Sequence, residues 1–319
     1  MSSAETLSEF ALIERFFRPL SAESAFLRCG IGDDCAVLAP AAGEELLLSV
    51  DTLVEAVHFP KHYPAEALAR RALAVCVSDL AAAGASPRAF TLALTAPQLD
   101  EVWLAGFSAT LAAEAARYGM ALAGGDTTRG PLCITLQVMG VAPRGAALLR
   151  SGAKLGDRIY VSGTLGDARA ALAVLDVDEP DADQQQWLRR YHQPEPRLAL
   201  GQALRGIASA AIDISDGLAA DLGHILRCSG VGATVRLASL PLSAPLAGHP
   251  SALDYALSGG DDYELCFTAP PQHAAAIAAL AETLQLPLSY IGDIAAEPGL
   301  RCIDAQGGDY CPAAGYQHF

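Results

Sequence analysis

Six short acidic islands punctuate this chain: GIGDD at 30–34, SVDT at 49–52, SD at 78–79, GGDTTRG at 124–130, DISDG at 213–217 and SGGDDYEL at 258–265. Most of them follow or end an apolar run, as in LLLSVD, ALAGGD and AAIDISD. A fold built from such a chain must put carboxylates where buried strands and helices end. Carboxylates gathered in one cleft repel by roughly 4 kcal/mol per close pair at an effective dielectric near 20. A cleft of that kind calls for cations. Oxygen-only donors suit hard ions such as Mg²⁺, which in turn favours phosphate chemistry.

The 319 residues leave room for two domains, and a hydrophobic share of 52% supports large buried cores. A formal net charge of −15 disfavours binding to nucleic acid or to an anionic membrane. A negative protein that handles phosphates needs metal ions to mediate. No apolar stretch of about 18 residues lacks charge, so no membrane span is expected. No basic segment precedes a long apolar core near residue 1, so no signal peptide is expected. The eight cysteines form no CxxC pair and mostly sit in apolar runs. They read as free, buried thiols of a cytoplasmic protein.

Along the chain, Thr6-Leu7-Ser8-Glu9 reads as a capping box that opens a helix with Phe10, Ile13, Phe16 and Phe17 on its apolar face. Residues 46–50 read as a buried strand. Pro64 suits the first turn of a helix to about Ala83, with Leu68, Ala72, Leu73, Cys76 and Leu80 inward. Asp79 then falls near a helix C-terminus, where the dipole disfavours an anion. Strands are expected at 89–95, 120–123 and 132–142, with a helix at 100–118. The alternation predicts an α/β or α+β first domain over 1–145 and a second α/β domain over 146–319. In the second, strands are expected at 158–162, 210–214, 261–268 and 289–294. Helices are expected near 166–176, 183–191, 197–208, from 217 to about Cys228, and at 271–284. The acidic loop around Asp178, Glu179, Asp181 and Asp183 reads as solvated surface.

The chain has no Walker A motif and no GxGxxG after a strand, so nucleotide would be held by another route, such as metal-bridged phosphates on carboxylates. Asp213-Ile214-Ser215-Asp216-Gly217 ends a strand and opens a helix. Ser215 or Asp216 could cap that helix, or its N–H groups could face phosphate. Asp213 is the better metal-ligand candidate. His58 reads first as structural. Arg150 is either a surface arginine or a charge-assisted contact to a nucleotide phosphate.

GIGDD, SVDT running to His58, SDLAAAGA, GGDTTRGP, RSGAKLGD, DISDGL, LSGGDDYEL and GYQHF occur in this order across nearly the whole chain. In that order the chain resembles the bacterial thiamine-monophosphate kinases, within the group that includes aminoimidazole ribonucleotide synthetase. The resemblance implies a dimerising N-terminal half-barrel domain that binds ATP and metal, and a C-terminal α/β domain, with ATP in a cleft between them and a homodimer as the assembly. It implies Asp34, Ser49, Val50, Asp51, Asp79, Asp126 and Asp213 as magnesium ligands, with Asp216 on a further ion. Asp51, Asp126 and Asp213 would carry catalysis. Gly125, Asp126, Arg150 and Ser215 would contact ATP, and His58, Asp261 and Tyr316 thiamine monophosphate. Two positions depart from the family pattern: Asp261 often has glutamate and Val50 can have threonine, so Val50 would act through its backbone. Expected alternatives are another ATP-using enzyme of the group or a non-catalytic thiamine-phosphate binder. A haloacid-dehalogenase-like phosphatase would need an acid where Leu53 stands.

Overall fold

The structure is a computed structural model that describes residues 8–98, 100–313 and 315–316. Thr6 of the expected capping box and Gln317–Phe319 of the tail motif lie outside the described residues. The chain divides into two compact units: one reaches Leu80 and continues over Ser86–Arg144, and the other comprises Ala81–Ala85 and the chain from Gly145.

In the first unit Ser8 caps α1 (Glu9–Leu12) by accepting the Ala11 N–H at 3.3 Å. The helix changes pitch at once, widening into a π turn over Ile13–Phe17 and then tightening into a 3₁₀ turn over Arg18–Leu20. This change of pitch departs from the expected single apolar stripe: Phe16 and Phe17 are buried, whereas Phe10 is exposed. A small ribbon of β1 (Leu27–Cys29) and β2 (Val37–Leu38) follows.

The main sheet has four strands, β3 (Glu44–Val54), β4 (Ser86–Ala96), β5 (Ala121–Arg129) and β6 (Cys133–Pro143), in the order β3-β6-β4-β5. It is open, with β3 and β5 at its edges. Two 18-residue helices accompany it, α2 (Ala65–Ala82) and α3 (Glu101–Tyr118). Leu68, Ala72, Leu73, Cys76 and Leu80 of α2 are all buried, as the helical spacing predicts. Asp100 caps α3 through the Val102 N–H, and Gly119 ends it at φ 68°. Side chains of a strand alternate between faces. On β3 that puts Leu46, Leu48 and Val50 outward and exposed, and Ser49 and Asp51 on the other, half-buried face.

The second unit is a seven-stranded sheet in the order β13-β12-β9-β11-β7-β10-β8. Its strands are β7 (Arg158–Ser162), β8 (Ala210–Asp213), β9 (Gly232–Arg236), β10 (Leu265–Ala269), β11 (Leu288–Ala295), β12 (Gly299–Ile303) and β13 (Asp309–Tyr310). Pairing is antiparallel except between β9 and β12. Its helices are α4 (Asp167–Ala171), α5 (Ala182–His192), α6 (Leu198–Ala203), α7 (Leu218–Ser229), α8 (Ala244–Ala247), α9 (Ala252–Ser258) and α10 (Ala274–Leu284).

Both faces of the central strands are covered. Ile212 and Cys266 belong to one apolar cluster with Leu222 and Ile225 of α7, while Ala211 and Phe267 belong to another with Leu200 of α6 and Ile277 of α10. Every residue of β8 and β10 is buried. Asp181, expected as plain surface, caps α5 in a reciprocal box with Gln184. The strand expected over 261–268 begins only at Leu265. Asp261 and Tyr263 take left-handed backbone, φ 72° and 49°, which a strand excludes. Only Cys76, Cys266 and Cys302 are buried thiols. Cys35, Cys228 and Cys311 are exposed, so the apolar sequence context overstated their burial.

Candidate active site

Two carboxylate groups form in the first unit. Asp79, in the last turn of α2, accepts the hydroxyl of Ser49 on β3. The Cys76 thiol, one helical turn earlier, is pushed up by burial and further by the neighbouring Asp51 and Asp79 carboxylates. Ser49, Asp51, Asp79 and Cys76 therefore share one place, on the side of β3 that faces α2. An acid at a helix C-terminus opposes the dipole, and here its company is a hydroxyl, a thiol and a second acid. Val50 points the other way, so only its backbone lies near this group. Asp51 sits within β3, not at a strand end as the sequence suggested.

The second group lies along β5. Register aligns Asp51, Leu136, Leu92 and Gly125 in one row across the sheet, and Asp126 is one residue further on. Asp126 falls in the row of Thr52, so its side chain takes the opposite face of the sheet from that of Asp51. Gly125 is required by close approach: a Cβ there would stand 1.9 Å from the Leu92 carbonyl oxygen. Asp34 and Asp126 border one groove of about 870 Å³, whose apolar side includes Phe10, Ile13 and Phe17. His58 folds back on β3, its Nδ1 accepting the Val54 N–H at 2.9 Å. That bond leaves the proton of the neutral ring on Nε2.

The second unit gathers Asp213, Ser215, Asp216, Asp261 and Tyr316 by backbone bonds. Asp213 ends β8 and is buried. The Asp261 N–H donates to the Ser215 carbonyl at 2.9 Å, and the Tyr263 N–H to the Ile214 carbonyl at 2.8 Å. Gly260 lies so close that a Cβ would stand 2.4 Å from the Ser215 carbonyl oxygen. The Tyr316 N–H donates to the Asp216 carbonyl at 3.2 Å, and the Ser258 hydroxyl to the Ala313 carbonyl at 2.8 Å. Gly217 is the N-cap of α7 and neither Ser215 nor Asp216 caps it. The Arg150 carbonyl accepts the Ser229 hydroxyl at 3.4 Å, which ties its loop to the end of α7. The ring of His224 is held down in pKa by burial and by the charges of Arg227 and Arg150, with Asp216 opposing. Arg150 and Asp216 therefore lie within electrostatic reach of the same imidazole.

Sequence reasoning missed the groups that shape these loops. Glu264 is fully buried and accepts from Arg190 at 2.8 Å, from Arg197 at 2.7 and 2.5 Å, and from the Ser162 hydroxyl at 2.6 Å. Asp262 is buried and accepts the Gly166 N–H at 2.9 Å. Burial drives its pKa well up, against the charge of Arg190. These two acids anchor the Asp261 loop through bonds within the protein. The sequence held no cue to their burial, because alternation of acids with apolar residues in DDYEL would put the acids outward on a strand. Asp221 was missed as well. Burial pushes it up to about 7, while bonds from loop N–H groups pull it back.

Among the described residues no three Asp, Glu, His or Cys side chains are grouped closely enough to hold an ion by themselves. The donors are oxygens in small sets. That chemistry fits Mg²⁺, which commonly takes one or two carboxylates and fills its octahedron with phosphate oxygens and water.

Small sets of oxygen donors recur in each of the two α/β units. Residues 32–142 match the family model of the AIR synthase related protein N-terminal domain, and residues 154–305 that of the C-terminal domain. The chain belongs to this family. Relatives within the family include thiamine-monophosphate kinases: it is 48% identical to that of Salmonella typhimurium over 98% of both chains. The crystal structure of the thiamine-monophosphate kinase from Stenotrophomonas maltophilia K279a matches with a TM-score of 0.86 and 47% identity, over 93% of this chain and 96% of that one. AaThiL complexed with AMPPCP and TMP matches with a TM-score of 0.79 and 32% identity, over 100% of this chain and 99% of that one. Among the described residues no helix is long and apolar enough to cross a membrane.

Proposed function

We propose that this protein is an ATP-dependent kinase that converts thiamine monophosphate to thiamine diphosphate. The observation that carries the reading is the likeness to thiamine-monophosphate kinases over 98% of the chain. The acidic residues support it, because small sets of oxygen donors suit Mg²⁺ and the phosphates it binds.

The acceptor phosphate is already ionised at neutral pH, so no strong general base is needed. Catalysis rests on alignment and on offsetting negative charge. The acceptor oxygen attacks the γ-phosphorus of ATP, the bond to the β–γ bridging oxygen breaks, and ADP leaves. Ser49, Asp51 and Asp79 would hold Mg²⁺ on one side of β3, with the Val50 carbonyl nearby. Asp34 and Asp126 would do so at the β5 groove, and Asp213 and Asp216 in the second unit. The bound ions supply positive charge against the phosphates of both substrates. Gly125 and Ser215 offer backbone to nucleotide, and Arg150 a guanidinium. His58, Asp261 and Tyr316 receive thiamine monophosphate. The assay that tests the reading is purified protein with Mg-ATP and thiamine monophosphate, the product read by chromatography; no thiamine diphosphate would overturn it.

Because the transfer is direct, incubation with γ-labelled ATP alone is expected to leave no label on the denatured protein. Stable label on an aspartate would establish a phosphoenzyme route instead.

Tyr316 is half-exposed and is held through its backbone beside Asp216. Thiamine carries a cationic thiazolium, and an aromatic face attracts such a cation by roughly 0.5–2 kcal/mol. Tyr316→Ala is therefore expected to raise KM for thiamine monophosphate several-fold and to leave KM for ATP nearly unchanged. A rise only in the ATP constant would move Tyr316 to the other substrate.

The assembly we propose is a homodimer. Its support is β3, an 11-residue edge strand with Leu48 55% and Val50 57% exposed on one face. A second copy would cover that face. Eight unpaired cysteines support a reducing, cytoplasmic setting.

A further inference from the structure

The peptide 214–216 is bonded along both of its edges. On one edge, the Ser215 and Asp216 N–H groups each donate to the same Asp221 oxygen, Oδ2, at 3.0 Å. On the other, the Ile214, Ser215 and Asp216 carbonyls accept from Tyr263, Asp261 and Tyr316. Asp221 is 3% exposed and belongs to the first turn of α7, whose N-cap, Gly217, offers no side chain. Its carboxylate reaches back past the start of the helix to the loop that precedes it. One buried oxygen thus fixes the strip that carries Ser215 and Asp216 and on which Asp261 and Tyr316 are hung.

We infer that Asp221 is a positioning residue for both substrates, holding the 214–216 peptide in the shape that presents Ser215 to ATP, Asp216 to a metal ion, and Asp261 and Tyr316 to thiamine monophosphate. The inference rests on the kinase reading above. A carboxylate suits the task because one of its oxygens can accept two N–H groups at once. Asparagine retains an acceptor oxygen of the same reach with weaker bonds. Alanine leaves the buried N–H groups of Ser215 and Asp216 without that partner, and the strip relaxes. Misplacement by about 1 Å can slow a reaction by up to 10²-fold.

The experiment is steady-state kinetics on both substrates at saturating Mg²⁺ for wild type, Asp221→Asn and Asp221→Ala, with thermal melting alongside. Asp221→Ala is expected to raise both KM values about tenfold and to lower kcat about tenfold. Asp221→Asn is expected to fall between, with both KM values raised about twofold to fivefold. The graded, joint rise is the signature, because this strip carries residues assigned to both substrates. A purely architectural role would lower the melting temperature and leave both KM values of the folded enzyme where they were, and that result would overturn the inference. A rise confined to one substrate would overturn it too. If Asp221→Ala does not fold, Asp221→Asn decides on the same criterion. Wild type without turnover would sink the kinase reading alone. Calorimetry with AMPPCP and with thiamine monophosphate would then read Asp221 directly: weaker binding of both in Asp221→Asn supports it, and unchanged binding overturns it.

Discussion

Asp51→Asn is expected to lower turnover of thiamine monophosphate by about three orders of magnitude while the fold stays intact. Metal-borne charge at a phosphoryl centre is worth several kcal/mol, and about 1.4 kcal/mol corresponds to tenfold in rate. Asp51 shares its place with Ser49, Asp79 and the Cys76 thiol, so losing its charge weakens cation binding there without opening a cavity. Asp126→Asn is expected to behave alike, since Asp126 borders the β5 groove with Asp34. Raising Mg²⁺ should recover part of the activity in either variant. Near-wild-type turnover of both at low millimolar Mg²⁺ would refute the metal role. A large drop in melting temperature would make the effect one of folding.

Glu264→Ala is expected to be the most damaging single change to stability. Removing one partner of a buried, hydrogen-bonded ion pair costs about 3–5 kcal/mol, because the other charge is left buried. Here two guanidiniums, Arg190 and Arg197, with side chains only 18% and 14% exposed, lose their common carboxylate. The Ser162 hydroxyl loses its acceptor as well. At roughly 2–4 °C per kcal/mol for a unit of this size, the melting temperature should fall by about 10 °C. Glu264→Gln should fall less, since it keeps the shape and one acceptor. An alanine variant that melts within a degree of wild type would show that the cluster does not anchor the fold. Activity should fall with stability, because Glu264 closes the loop that begins at Asp261.

Local patterns made much of this molecule legible. Pro64 and the spacing of Leu68, Ala72, Leu73, Cys76 and Leu80 located α2 to within a residue or two. The apolar runs before Asp51 and Asp213 located β3 and β8. The 258–264 segment was not legible as a loop, because DDYELCF alternates like a strand. What bends it is tertiary: Asp262 and Glu264 are pulled inward to Gly166, Arg190 and Arg197, and Asp261 and Tyr263 are left in backbone that side chains rarely adopt. β9 and β12 were missed because GATVR and GLRCI are too short to show a period. The site acids were legible as types and positions. Their grouping was not, since Asp221 and Cys76 matter through contacts made only after folding.

The exposed edge of β3 also bears on how the chain survives its own synthesis. A long, flat strand with Leu46, Leu48 and Val50 on one open face is a template for any extended polypeptide that meets it. It carries no proline, and no charge breaks its outward face between Leu46 and Thr52. Freshly made chains at low copy number therefore present an aggregation surface until a proper cover arrives. In the homodimer proposed above, the surface that would join two finished copies is the one an unfinished chain exposes, and its loss to aggregation should grow with the concentration of uncovered chain.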